Sequence, residues 1–148
     1  MTGSLEEFTK RKPCENGALL ELSMIENGLS ETIPTEVNLV SSLYVIDLSR
    51  NELKGNLQNS FLDDDGGHLD VLQEIIVSHN NLEGALPSGL DRVKESLNQL
   101  DISNNENMYG TIPDSFGTLF ELSKCPLSLL LFIRNIIKSN KSNTWKEI

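Results

Sequence analysis

One segment of this sequence returns four times, and that return limits the fold more than any other feature. The clearest copy is residues 43–57, LYVIDLSRNELKGNL. It is followed by residues 72–87, LQEIIVSHNNLEGALP, and residues 97–113, LNQLDISNNENMYGTIP, the latter with one extra residue before Gly110. A weaker copy, residues 19–34, LLELSMIENGLSETIP, comes first and has Glu31 where the others place glycine. The recurring asparagines are Asn27, Asn51, Asn80 and Asn105, spaced 24, 29 and 25 residues apart. The long middle interval follows from an insertion over residues 62–68, which contains Asp63, Asp64, Asp65, Gly66, Gly67 and His68.

A repeat of about two dozen residues dictates stacking. Successive side chains of a strand point to opposite faces, so the pairs Leu22/Met24, Ile46/Leu48, Ile75/Val77 and Leu100/Ile102 face one way. One repeat cannot bury its aliphatic face alone. Stacked copies form a parallel sheet over one apolar column, each buried side chain contributing roughly 1.5–3 kcal/mol. The asparagines answer a separate need. The chain turns inward after each strand, and an amide carries both donors and acceptors for the backbone groups stranded there. Asn27, Asn51, Asn80 and Asn105 are therefore expected to form a structural ladder. Gly55, Gly84 and Gly110 suit tight turns, and Ile33-Pro34, Leu86-Pro87 and Ile112-Pro113 end pairing with extended backbone.

The motif L-x-x-L-x-L-S-x-N-x-L-x-G-x-I-P resembles the plant-specific class of leucine-rich repeats, found in receptor-like kinases, receptor-like proteins and polygalacturonase inhibitors. The resemblance covers residues 19–123. It implies an α/β solenoid with a short parallel β-sheet on the concave face, irregular or 3-10 convex segments, and a C-terminal helical cap. Three parts are expected: an N-terminal flank over residues 1–18, a four-repeat solenoid over 19–123, and a cap or tail over 124–148. The cap candidate is residues 127–137, where Leu127, Leu130, Leu131 and Ile137 can share a helix face. The apolar run there is about a dozen residues long and includes Arg134, short of the roughly 20 a bilayer span needs. Paired-cysteine caps, usual in extracellular members, are missing. Cys14 and Cys125 lie near opposite ends of the repeats, too far apart to bridge in an extended solenoid. The chain reads either as a small member with its own cap or as a fragment of a longer receptor. The resemblance implies the cell surface or plasma membrane, although neither a signal peptide nor a membrane span is legible.

In this class ligands meet the solvent-facing strand residues, which strand parity assigns here. One row is Glu21, Val45, Glu74 and Gln99, and the next is Ser23, Asp47, Ile76 and Asp101. A third holds Ile25, Ser49, Ser78 and Ser103, flanked by Glu26, Arg50, His79 and Asn104. The candidate partner-binding residues are Glu21, Val45, Asp47, Arg50, Glu74, Ile76, His79, Gln99 and Asp101. No aromatic residue stands in these rows, and only Arg50 belongs to the residue types that dominate binding hot spots.

The net charge of −10 opposes binding to phosphate backbones and favours a protein or peptide partner of basic character over nucleic acid. A membrane enters only if the chain is part of a longer receptor. No kinase signature, nucleophile elbow or paired catalytic constellation is present, so a non-catalytic binding module without metal or cofactor is expected. His79 is a lone histidine. Residues 63–67 lack the alternating ligands of a calcium loop. The competing expectation is an assembly module that self-associates through the solenoid ends or the C-terminal segment.

Overall fold

The computed structural model of the chain describes residues 19–57, 69–86, 93 and 96–109. The flank 1–18, the insertion 62–68, the cap candidate 127–137 and both cysteines lie outside the described residues.

Each repeat contributes one three-residue strand: β1 (Glu21–Ser23), β2 (Val45–Asp47), β3 (Glu74–Ile76) and β5 (Gln99–Asp101). They pair in parallel in the order β1-β2-β3-β5. The register is uniform: Leu22 faces Ile46, Ile46 faces Ile75, and Ile75 faces Leu100. This is the sheet the resemblance implies. The convex side contains a 3-10 segment, Thr35–Leu39, entered through Pro34 in extended conformation. Among the described residues no helix is long and apolar enough to cross a membrane.

The core is the sum of the repeat positions. Leu43, Ile46, Leu48, Leu53, Leu72, Ile75 and Leu82 are fully buried in one continuous apolar cluster. Leu19 and Met24 of the first coil and Leu97 of the fourth are only partly buried against it. These side chains therefore bury less than Leu43, Leu48 and Leu72, which fill the matching positions of the second and third coils. In the fourth coil the extra residue is absorbed in a turn closed by the Met108 N–H on the Asn105 carbonyl, 3.2 Å. Asn107 is exposed, and Met108 supplies the buried side chain.

A second parallel ladder follows each inward turn, a feature the sequence reading did not contain. Strands β4 (Glu83–Gly84) and β6 (Asn107–Met108) pair, and the bridges Thr32 to Lys54 and Asn56 to Glu83 carry the pairing back to the first coil. Gly84 sits in this ladder at φ +85, and a Cβ there would lie 2.6 Å from Asn56 Nδ2. Glycine allows both the left-handed backbone and the close approach of the preceding coil.

Candidate partner-binding face

The strand register converts the outward parity into physical rows. Glu21, Val45, Glu74 and Gln99 stand side by side across the four coils, and so do Ser23, Asp47, Ile76 and Asp101. Glu21 and Ser23 are exposed, and the other six are half-buried. The face is thus a strip in which carboxylates alternate with Val45, Ile76 and Gln99.

The two aspartates do more than face solvent. Asp47 Oδ1 accepts from the Ser49 N–H at 3.0 Å and from the Ser49 Oγ–H at 2.7 Å. Asp101 does the same with Ser103, at 3.0 and 2.7 Å. In each case one carboxylate oxygen is committed to fixing the end of its own strand. The repeated D-x-S spacing at 47–49 and 101–103 was the signal for this, and parity reading had separated it into two unrelated rows.

Beyond the serines the backbone changes hand. Glu26, Arg50, His79 and Asn104 have φ of 58, 57, 55 and 55°, all in the left-handed region. Pairing persists through this bend: Glu26, Arg50 and His79 each donate to the serine carbonyl of the next coil, at 3.1, 3.0 and 2.9 Å. After the left-handed step Asn51, Asn80 and Asn105 are buried. Arg50 and His79 themselves stand outward on the rim of the face, both exposed. His79 Nε2 lies 3.0 Å from Asn104 Nδ2, so the histidine meets an amide and not Asp47 or Asp101. No group of three metal-ligating side chains occurs among the described residues.

The asparagines then sew the coils together. Asn51 Oδ1 accepts from the N–H of Asn27 and of Leu29, at 2.9 and 3.0 Å, while its Nδ2 donates to Met24, Leu48 and Ser49 carbonyls. Asn80 takes the Leu53 N–H and donates to Leu48, Val77 and Ser78 carbonyls. Asn105 takes the Leu82 N–H and donates to Val77, Ile102 and Ser103 carbonyls. All three are buried. Every one reaches back to the preceding coil.

Asn27 is placed differently from the other three. It is exposed, and among the described residues its side chain makes a single bond, Nδ2 to the Ile25 carbonyl at 3.0 Å. Tyr44 lies outside the expected rows. It is an exposed aromatic beside the face, at the entrance to β2, and its N–H donates to the carbonyl of exposed Leu20 at 2.9 Å. Standing one residue before the rows, it escaped a search confined to them.

A leucine-rich-repeat family model matches residues 71–93 and 96–119. The chain is 36% identical over 110 residues to receptor-like protein 6 of Arabidopsis thaliana, an alignment that takes in 74% of the chain and 10% of that protein. Its fold is similar to the ectodomain of the Arabidopsis receptor kinase GASSHO1/SCHENGEN3, solved with Casparian strip integrity factor 2, at 34% identity and TM-score 0.60 over 69% of the chain and 11% of that ectodomain. It is also similar to the plant peptide hormone receptor RGFR1, solved with RGF2, at 35% identity and TM-score 0.60 over 68% of the chain and 15% of that receptor. The chain spans 10% to 15% of the length of these relatives.

Proposed function

The chain is a leucine-rich-repeat protein of the plant type, and from that premise we propose that it is a non-catalytic recognition module whose concave face binds a peptide or protein segment. The observation that carries this reading is the register, which lines Glu21, Val45, Glu74 and Gln99 beside Ser23, Asp47, Ile76 and Asp101 in unbroken outward rows. Relatives solved with protein or peptide partners support it. Recognition without turnover fits the chemistry present: the histidine on the rim bonds an amide, and both aspartates are engaged by serines.

The dimensions set the scale of binding. Four strands about 4.8 Å apart present a strip roughly 15 Å wide, enough for about four extended residues of a ligand crossing the coils. Contact that small gives weak affinity. The acidic side chains favour a ligand segment bearing arginine or lysine, with Ile76 and Val45 under its aliphatic stem.

The test uses the full chain and two immobilised dodecapeptides, one of alternating arginine and serine and one of alternating glutamate and serine. The basic peptide should be retained and the acidic one not, and the retention should weaken as salt rises. Glu21→Lys with Glu74→Lys should lower it about tenfold, roughly 1.4 kcal/mol. These two residues are chosen because Asp47 and Asp101 also hold their strands, so reversing those charges would perturb the fold. Equal retention of the double variant would place binding elsewhere on the acidic surface and end the proposal.

A further inference from the structure

We propose that Asn27 is a site of spontaneous deamidation through Gly28, left open by the fold while the other three ladder asparagines are protected. Three observations converge on it. Asn27 and Gly28 are both exposed, and nothing lies within 4 Å of the place a Gly28 Cβ would occupy. Among the described residues the Asn27 amide is held by one bond, from Nδ2 to the Ile25 carbonyl. Among the described hydrogen bonds the Gly28 N–H donates to none, although its neighbours Asn27 and Leu29 both donate to Asn51 Oδ1.

The reaction needs only water. The Gly28 backbone nitrogen loses its proton to solvent and attacks Asn27 Cγ. The C–N bond to Nδ2 breaks and ammonia leaves, closing a succinimide between the two residues. Water then opens the ring at one carbonyl or the other. The product is aspartate at position 27 with a normal backbone, or isoaspartate with one extra methylene in the main chain. One water enters, one ammonia departs, and nothing is oxidised or reduced.

The same chemistry is blocked at the other rungs. The Asn51 amide makes five hydrogen bonds, and the following N–H, of Glu52, is tied to the Leu29 carbonyl at 2.7 Å. The Asn80 amide makes four bonds, and the N–H of Asn81 is tied to the Leu53 carbonyl at 2.8 Å. The Asn105 amide makes four as well. Each of these three is followed by a residue with a side chain, which crowds the attacking nitrogen. The isoaspartyl product has a local consequence. The N–H groups of Asn27 and Leu29 now converge on one oxygen of Asn51, and a lengthened backbone between them cannot keep both there.

The full-length folded chain is incubated at pH 8.5 and at pH 5, digested after glutamate, and mapped by mass. Isoaspartate is read separately with isoaspartyl methyltransferase. Cleavage after Glu15, Glu21, Glu26 and Glu31 separates the Asn27 fragment from that of Asn16-Gly17, the other Asn-Gly pair, which lies outside the described residues. The proposal expects a gain of one mass unit in the Asn27 fragment, faster at the higher pH. Its rate should be within about threefold of a synthetic peptide spanning residues 23–32, and at least about tenfold above that of Asn51, Asn80 or Asn105. Gly28→Ala should slow it, and in case that variant is strained at its φ of +66, Asn27→Gln supplies a second arm that should abolish the signal with Gly28 intact. Conversion in the free peptide but an intact amide in the folded chain would overturn the proposal, as would conversion of the buried rungs at the same rate.

Discussion

Asn80 and Asn27 occupy the same position of two repeats, yet the structure uses them in opposite ways. Asn80 is buried and its side chain makes four hydrogen bonds, two of them to the preceding coil. Asn27 is exposed and makes one among the described residues, within its own turn. The difference shows that a motif residue in a stacked fold has no fixed worth. The ladder through Asn51, Asn80 and Asn105 is directional, since each of these amides reaches toward the N-terminal neighbour. Asn80→Ala leaves buried N–H and C=O groups of two coils without partners, and should cost about 3 kcal/mol in urea unfolding of the full chain. Asn27→Ala should stay within about 0.5 kcal/mol of the parent. Equal losses would break the comparison.

The second ladder offers a subtler version of the same contrast. Gly84 lies in the third coil at φ +85, with Asn56 of the coil before it so close that a Cβ would stand 2.6 Å from Nδ2 and 2.8 Å from Cγ. In the first coil Glu31 fills the matching repeat position without a left-handed backbone, and it is exposed. Gly84→Ala should therefore cost about 1–2 kcal/mol from backbone strain and displacement of Asn56, and Glu31→Gly should shift stability by under about 1 kcal/mol. Thermal unfolding of the two variants, monitored side by side, measures the gap. A tolerated alanine at position 84 would mean that the second ladder yields readily.

These contrasts also show what the sequence could and could not say. The columns through Ile46 and Leu48 were legible because buried aliphatic side chains must recur at the pitch of the stack, and the strand register then follows from the repeat itself. The asparagines were legible as a set, since an amide at every inward turn answers an obligatory backbone need. The exposure of Asn27 was not, because position within a motif carries no record of what packs around it. The second ladder was invisible because strands of two residues, such as Glu83–Gly84, are too short to show alternation. On the candidate face, parity placed Asp47 and Asp101 outward but could not show that a serine two residues on would hold each of them. Tyr44 was missed because it precedes the strand whose parity was being counted.

The left-handed row was hidden for a different reason, and it supplies the finest test. Glycine and asparagine advertise a positive φ, but Glu26 and Arg50 do not, and only their place before each asparagine marks them. The stacked pairing of this row holds them there, with the Arg50 N–H on the Ser78 carbonyl at 3.0 Å. Asn104 occupies the same conformation in the fourth coil with a side chain suited to it. Arg50→Asn should therefore relieve strain and raise stability by about 0.5–1 kcal/mol, a gain opposite in sign to the losses above. The rim would lose its cation at the same time, so a more stable variant with altered peptide retention would separate the backbone's demand at position 50 from the side chain's part in recognition. A loss of stability instead would mean that the arginine side chain contributes more to the coil than its exposed position indicates.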